Sequence, residues 1–144
     1  MPSNVTFIER KEPRYLPRSR MWKQWLVKHE YSSPIVCNGL VDSIWLALKM
    51  RCSRLVIVGA DFDMHKYLEV STDNAVYLNT RHFNRKAGHT YRKNDKKKSL
   101  AHKLRQISLA MESLEDLRCL ADTLEIPIVN LSKSSQLDMF DRGH

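Results

Sequence analysis

The chain has 144 residues, of which 42% are hydrophobic and 28% are charged. This length and composition are typical of one globular domain with a sizeable core, and they exclude a disordered protein. No apolar run approaches the ~20 residues that a membrane span needs, and residues 1–14 lack the apolar centre of a signal peptide. The sequence therefore predicts a single domain over residues 1–144.

The net charge of +8 comes from one segment of the chain. Residues 81–105, called the basic segment below, contain ten Lys or Arg and one acid, Asp95. Such a segment could attract a nucleotide, a nucleic acid or an anionic membrane surface, or it could be a solvated loop and helix start. Its aromatic residues are Phe83 and Tyr91 alone, without a helix-turn-helix, zinc-finger or RNA-binding motif, which disfavours a nucleic-acid partner.

The three cysteines do not form a recognisable site. Cys37, Cys52 and Cys119 are scattered, without the Cys-x-x-Cys spacing of a zinc or redox centre. Buried thiols in a reducing compartment are the favoured interpretation, so we expect a cytoplasmic protein. Nucleophilic catalysis has little support, because the chain has no Gly-x-Ser-x-Gly elbow.

Three elements are predicted in the N-terminal segment, residues 1–30. Residues 4–9 are typical of a short strand, and residues 10–18 of an extended connection interrupted by proline. A helix is predicted over residues 19–31, with Ser19 as its N-cap. Four apolar residues of this helix have the spacing of one helical face. They are Met21, Trp22, Trp25 and Leu26.

A second helix is predicted over residues 40–51. Residues 32–39 are typical of a loop leading into a very short strand, and Asn38-Gly39 is a turn signal that opens the helix. The buried side of the helix is predicted to consist of Ile44, Trp45, Ala47 and Leu48.

The clearest strand is predicted over residues 54–60. Its consecutive apolar residues around Val56 and Ile57 predict burial on both faces, as in a parallel sheet. Residues 61–97 show little periodicity beyond one strand-like piece at residues 75–78. Loops of this length are usually functional or disordered.

The longest helix is predicted over residues 98–124, and a last strand over residues 126–131. One apolar stripe runs along the whole helix at alternating intervals of three and four residues, which predicts core packing. It consists of Leu100, Leu104, Ile107, Met111, Leu114, Leu117, Ala121 and Leu124.

The alternation of strands and helices predicts an α/β class: a Rossmann-like, three-layer domain with a small, mostly parallel sheet and flanking helices. Ligands of such sheets bind beyond the carboxyl ends of the strands. Asp61, Asp63 and His65 directly follow the strand at residues 54–60. They are therefore candidates for substrate contacts, and a divalent metal bound by them is the less favoured alternative.

Four pieces of the sequence carry a family resemblance. Gly59-Ala60-Asp61-Phe62 ends a strand, an Asp-x-x-x-His stretch runs from Asp61 to His65, an acid- and Asn-rich turn follows at residues 69–78, and His82-Phe83 comes next. The chain then closes with a helix and a strand that ends in a further motif. Its matching residues are Asn130, Ser132, Ser135, Asp138, Phe140 and Arg142.

In this order, the pieces resemble the C-terminal part of bacterial glycosyltransferase family 42, the lipooligosaccharide and capsule sialyltransferases, and of related surface-polysaccharide proteins. They are also similar to the 6-hydroxymethylpterin diphosphokinase-like family. The resemblance covers residues 31–142. Those families carry an additional N-terminal nucleotide-binding half with a Gly-rich phosphate loop, whereas this chain has no Gly-x-Gly-x-x-Gly or P-loop. The chain could thus be a C-terminal portion, a degenerate relative or a subunit that depends on another chain.

The resemblance implies transfer of a sugar from a nucleotide-sugar donor to a glycan acceptor, without a cofactor or metal. It implies a histidine as general base, for which His82 and His89 are the candidates, with His82 slightly preferred. Arg85, Tyr91 and Arg92 would lie near the departing phosphate.

Further binding residues are expected from their residue types, whereas the donor, the acceptor and the missing half are what the resemblance implies. Ser33, Asn38 and Gly39 could offer a helix N-terminus to a phosphate or carboxylate, although an ordinary cap explains them equally well. The expected partners are the donor, the acceptor, and either a second copy or a chain that supplies the missing half. Peripheral association with an anionic membrane, at the inner membrane face, is a further expectation, and nucleic acid is disfavoured.

Overall fold

The structure, a computed structural model, describes residues 20–34, 38–78, 89–90 and 99–143. This part of the chain has a mixed α/β fold. Its helices are α1 (Arg20–Lys28), α2 (Gly39–Lys49) and α3 (Leu100–Thr123), and a 3₁₀ turn covers Met64–Tyr67. Its strands are β1 (Leu55–Ile57), β2 (Leu68–Val70), β3 (Val76–Leu78), β4 (His89–Thr90), β5 (Ile128–Asn130) and β6 (Asp141–Arg142). The strands predicted at residues 4–9 and near residues 35–37 lie outside the described residues.

The predicted parallel sheet is confirmed by three strands in the order β1-β5-β6. Both pairs are parallel, with Leu55 opposite Ile128 and Val129 opposite Asp141. Because parallel neighbours need a long crossover, the chain between β1 and β5 has room for a second sheet and for α3. The carboxyl ends of β1 and β5 therefore meet at one edge, as predicted.

A second, antiparallel sheet lies within the segment for which a long loop was predicted, residues 61–97, as far as the structure describes it. Its strand order is β2-β3-β4. The sequence predicted one strand-like piece in this segment, residues 75–78, which corresponds to β3. The β2–β3 turn is closed by Ser71, whose backbone N–H donates to the carbonyl of Ala75 at 2.9 Å and whose Oγ accepts from the N–H of Ala75 at 3.1 Å. Asn74 adopts a left-handed φ of 60° within this turn, a conformation that asparagine tolerates. Side-chain turn chemistry, rather than apolar alternation, thus defines this hairpin.

One buried apolar cluster joins all three helices to one face of the parallel sheet. From the helices it contains Val27 of α1, Trp45 of α2 and Leu117 of α3, and from the sheet Ile57 and Ile128. The predicted start of α2 is confirmed, because the Asn38 side chain accepts from the backbone N–H of Val41 at 3.1 Å. Such a cap satisfies one of the four N–H groups that a helix leaves unpaired at its start.

The opposite face of β1 differs from the prediction that the strand is buried on both sides. Ile57 is buried, but Val56 is exposed and Val58 is 74% exposed. Successive residues of a strand point to opposite faces, so the described helices cover the Ile57 face alone. Leu131, directly after β5, is exposed as well.

The apolar stripe of α3 is buried along its second half only. Leu114, Leu117 and Ala121 are fully buried, whereas Leu104 is 46% exposed. The prediction that the whole stripe packs in the core is therefore wrong for the first half of the helix. No helix in the described part of the chain is long and apolar enough to cross a membrane.

The two free cysteines of the described residues, Cys52 and Cys119, are half-buried rather than fully buried. Cys119 links α3 to α1, because its Sγ accepts a hydrogen bond from Nε2 of Gln24 at 3.0 Å. Cys37 lies outside the described residues.

An ion-pair cluster joins the ends of α1 and α2. The Glu30 carboxylate lies 2.9 Å from Nζ of Lys49 and 2.6 Å from the Arg51 guanidinium. Burial alone would raise the pKa of Glu30, but the hydrogen bonds and charges of Lys49 and Arg51 outweigh it and lower the pKa below the ordinary value. The ionised carboxylate is therefore favoured in the folded state.

We expect Glu30→Gln to lower the free energy of unfolding at pH 7 by about 0.5–1 kcal/mol, since the cluster is partly exposed and screened by solvent. A depressed folded-state pKa stabilises the fold above the ordinary pKa, and this contribution is lost as the pH falls through the folded-state value. Urea unfolding at pH 7 and again well below pH 4.5 should show the difference shrinking. Glu125→Gln, at an exposed glutamate, is the control; an equal loss for Glu30→Gln at both pH values would contradict the assignment.

Candidate functional site

The chain leaves β1 through two left-handed residues. Gly59 has a φ of 69° and Phe62 a φ of 55°. Glycine adopts this conformation freely, whereas a bulky residue such as phenylalanine rarely does so without support. The turn is supported from the neighbouring loop, since the backbone N–H of Gln136 donates to the carbonyl of Asp61 at 2.7 Å. The two loops that follow β1 and β5 are thus bound to each other.

The loop after β5, residues 131–140, is organised by a buried asparagine. Asn130 is 1% exposed; its Nδ2 donates to Oγ of Ser135 at 2.9 Å, and its Oδ1 accepts from the backbone N–H of Ser132 at 3.0 Å. Oγ of Ser132 in turn accepts from the N–H of Ala60 at 2.9 Å. Side chains of the predicted closing motif therefore bond to one another and to the exit of β1.

Arg142 completes this network from β6. Its guanidinium donates to the carbonyl of Ser132 at 2.7 Å and to that of Ser135 at 2.5 Å. Two charge-assisted bonds to backbone carbonyls hold the loop in one shape. We call Asn130, Ser132, Ser135 and Arg142 the loop-locking network.

An open groove of about 780 Å³ lies between the 3₁₀ turn, α3 and residues 131–140. Its floor is apolar and comes from the first half of the α3 stripe, namely the exposed Leu104 and the half-buried Ile107 and Met111. Its rim is polar, with His65 on the side of the 3₁₀ turn and Gln136 and Asp138 on the side of the loop. The position at the carboxyl ends of β1 and β5 is where a parallel sheet normally binds its ligand.

The charge around the groove is mainly negative. Glu112, Glu115 and Asp138 line it, together with His65 and Arg142. The Arg142 guanidinium donates to two carbonyls of the loop, so its main role is to hold that wall of the groove in place. Carboxylates accept hydrogen bonds from hydroxyl groups and repel phosphate. The described rim is therefore better suited to a polyhydroxylated group than to an anion.

A smaller cavity of about 140 Å³ adjoins the groove along α3. Ile107 lines both spaces. In the 3₁₀ turn, Met64 lines the smaller cavity and the next residue, His65, lines the groove. The smaller cavity is also lined by Asn38, at the start of α2, and by Lys103. Lys103 belongs to the basic segment, so positive charge lies at this end of the combined space.

The three residues after β1 that were predicted to contact substrate, Asp61, Asp63 and His65, have different surroundings in the structure. His65 lines the groove, and Asp61 is exposed. Asp63 accepts a hydrogen bond from the Tyr67 hydroxyl at 3.1 Å. That hydrogen bond, followed by the charges of Asp63 and Asp61, raises the pKa of Tyr67. Within the described ranges, no group of three His, Cys, Asp or Glu is arranged to hold a metal ion.

The residues predicted around the start of α2 are distributed between core and cap. Ser33 is buried, Asn38 uses its side-chain oxygen in the cap of α2, and Gly39 begins the helix. Of these three, Asn38 lines a cavity, the smaller one.

His89 lies at the start of β4, where its backbone pairs with Leu78 of β3. Leu78 lines the smaller cavity, so β4 is adjacent to one wall of it. The remaining candidates, His82, Arg85, Tyr91 and Arg92, lie outside the described residues.

Several groove residues were not singled out by the sequence. Leu104, Ile107 and Met111 were assigned to the core, because periodicity identifies an apolar face without identifying its neighbour. Gln136 and Glu112 carried no signal of their own.

The chain matches none of the known protein-family models, curated proteins or solved structures with which it was compared.

Proposed function

We propose that the chain is a glycosyltransferase-like protein of bacterial surface-polysaccharide biosynthesis that binds a nucleotide-sugar donor along the groove. The observation that carries this proposal is the position of the groove at the carboxyl ends of β1 and β5. Its wall is shaped by the loop-locking network, whose members belong to the motif that carries the family resemblance. The residues that carry the resemblance in the sequence are thus the same residues that shape the wall of the groove, and this supports the proposal.

The two neighbouring cavities, which share Ile107 in their lining, suit the two ends of such a donor. The apolar floor of Leu104, Ile107 and Met111 can contact the carbon face of a sugar ring, while Gln136 and Asp138 accept from its hydroxyls. The phosphates then extend toward Lys103, the residue of the basic segment that lines the smaller cavity, where positive charge is favourable.

The proposed reaction joins an acceptor hydroxyl oxygen to the anomeric carbon of the sugar and breaks the bond from that carbon to the phosphate oxygen. A general base takes the hydroxyl proton, and histidine is suited to this because its ordinary pKa is near neutral. His82 or His89 supplies this base, and His65 contacts the substrate at the groove. No cofactor is needed, since the donor carries its own leaving group.

The proposal includes a Rossmann-like, three-layer arrangement of a cytoplasmic protein. The parallel pair β1–β5 supports it, with α3 in the crossover between the two strands. The exposed Val56 and Val58 mark the face that a further layer would cover.

An alternative function is that of a non-catalytic partner, which contributes a binding surface to a second chain. The exposed face of β1 favours it, because parallel sheets are normally covered on both faces. Such a partner would bind no donor alone but would associate with another chain.

Titration calorimetry of the full chain with CMP-, UDP- and GDP-sugars at physiological salt tests the proposal. We expect saturable binding of one nucleotide class, and a loss of about tenfold in affinity for Leu104→Ala, which removes apolar contact from the floor. Leu46→Ala is the matched control, since Leu46 is an exposed leucine of α2 away from the groove lining. Absence of binding by a folded, monodisperse sample would reject the stand-alone enzyme.

The histidines are tested next, with the acceptor present. His82→Ala or His89→Ala should reduce turnover by about 10²–10⁴-fold while leaving donor affinity intact, as expected for loss of a general base. His65→Ala should instead weaken donor binding. Unchanged turnover in both His82→Ala and His89→Ala would contradict the proposed chemistry.

A further inference from the structure

Most of the predicted apolar face of α1 points outward, away from the core. The sequence placed Met21, Trp22, Trp25 and Leu26 on this face, yet Met21 is 79% and Trp22 61% exposed and Trp25 is exposed as well, while Leu26 is half-buried. The helix is held instead through Val27, which is buried in the core, and through the hydrogen bond from Gln24 to Cys119 of α3. A surface helix normally turns its apolar stripe toward the core. We therefore expect another molecule to cover this exposed face of α1.

The exposed face is built from aromatic side chains that contact one another. The rings of Trp22 and Trp25 meet edge to face at a centroid distance of 5.9 Å. Trp25 also stacks on Tyr31 at 5.5 Å and lies 4.7 Å from the ring of His29. Together with Met21, the two tryptophans border a shallow hollow of about 460 Å³. We call Met21, Trp22, Trp25 and Tyr31 the α1 patch.

The charge around the α1 patch is positive. The helix α1 contains no Asp or Glu. Lys28 lies three residues after Trp25 and seven after Met21, on the side of the patch, whereas Lys23 lies four residues before the buried Val27, on the side of the core. The first acid after the helix, Glu30, is paired with Lys49 and Arg51. One carboxylate facing two cations leaves a net positive charge at the end of the helix. Between these two cations in the chain lies Met50, which is another exposed apolar residue.

We propose that the α1 patch docks onto the surface of an anionic lipid bilayer. Tryptophan and tyrosine are enriched at the membrane–water interface, because an apolar ring and a polar N–H or O–H suit that boundary. A lysine beside such a face, here Lys28, and the cations at the end of the helix attract anionic headgroups. A short helix with aromatic residues on one side and cations toward one end lies in the interface plane and does not span the bilayer. This inference does not depend on the proposed sugar transfer.

The three tryptophans provide a direct measurement. Trp22 and Trp25 are exposed, whereas Trp45 is buried in the core between α2 and α3. Without lipid, acrylamide should quench the first two and spare the third. Vesicles of phosphatidylcholine with phosphatidylglycerol should bind the full chain, shift its emission to the blue, and quench it when the lipid chains are brominated. Vesicles of phosphatidylcholine alone should bind at least about tenfold more weakly, since the headgroup charge is absent.

Variants distinguish the α1 patch from other binding surfaces. Met21→Ser with Trp22→Ser should weaken vesicle co-sedimentation by about tenfold or more, because binding scales with the apolar area inserted. The matched control is Val58→Ser with Leu131→Ser, which changes two exposed apolar residues on the sheet face and should leave binding intact. Thermal unfolding and the Trp45 emission verify that each variant is folded.

Three outcomes would overturn the proposal. The first is normal co-sedimentation of the Met21/Trp22 variant together with loss of binding when Lys96, Lys97 and Lys98 of the basic segment become glutamine. The second is resistance of Trp22 and Trp25 to acrylamide without lipid, which would mean that the protein itself or a second copy covers the patch. The third is failure of the folded full chain to bind anionic vesicles.

Discussion

Leu117→Ala should lower the free energy of unfolding by about 2–5 kcal/mol, whereas Leu104→Ala should lower it by less than about 1 kcal/mol. The two residues lie on the same apolar stripe of the same helix and undergo the same substitution. Leu117 is fully buried in the cluster that joins α3 to the sheet, so alanine leaves a cavity there. Leu104 lies at the groove, where solvent fills the space that its side chain vacates.

Guanidinium unfolding of both variants and the parent, followed by circular dichroism, measures these two values. Donor binding should show the opposite order, with Leu104→Ala impaired and Leu117→Ala close to the parent under conditions in which it is folded. Equal destabilisation by the two substitutions would mean that the first half of α3 is packed as the sequence alone suggested. The groove floor described above would then be wrong.

Asn130→Ala should lower the free energy of unfolding by about 3 kcal/mol. The substitution removes a hydrogen bond to Oγ of Ser135 and another from the N–H of Ser132. Both partners are buried. The N–H of Ser132 is left unpaired, which costs about 1–3 kcal/mol, and Oγ of Ser135 keeps only the bond from the N–H of Leu137. Because the same side chain fixes the loop that carries Gln136 and Asp138, donor affinity should fall as well.

A double-mutant cycle with Ser135→Ala tests whether the network acts as a unit. Residues that share a hydrogen bond in a buried network couple by about 0.5–3 kcal/mol, so Asn130→Ala with Ser135→Ala should cost less than the sum of the two single losses. Ser134→Ala, at an exposed serine of the same loop, serves as the control and should change stability by less than about 0.5 kcal/mol. Strict additivity of the Asn130 and Ser135 losses would refute a connected network.

The α/β class and the parallel pairing could be predicted because they follow from local sequence. An unbroken apolar run ending in Gly59-Ala60 identifies β1, and Asn38 identifies the start of α2 by the chemistry of its side chain. Of the hairpin at residues 68–78, the second strand was predicted as the piece at residues 75–78, but the first was missed, since it is three residues long. Strands of this length carry too few positions for an alternating pattern to be recognised.

The candidate site was predicted in part. The sequence indicated its edge of the sheet and, among the residues predicted to contact substrate, His65, which lines the groove. It also indicated the closing motif, but not that Asn130, Ser132, Ser135 and Arg142 bond mainly to one another and to backbone. The bond between Ala60 and Ser132 connects residues that are far apart in the chain, so no local pattern reveals it. The bonds within the network span two to ten residues, but those from Arg142 form only once β6 places it beside the loop.

The sequence by itself determined the concentration of charge in the basic segment, the order of the main helices and strands, and which side of each helix is apolar. Only the tertiary structure decided what each apolar side faces. The stripe of α3 divides into a core half and a groove half, α1 turns its tryptophans outward, and β1 leaves Val56 and Val58 exposed. The physical reason is that periodicity depends on the chain's own geometry, whereas burial depends on which other elements pack against it.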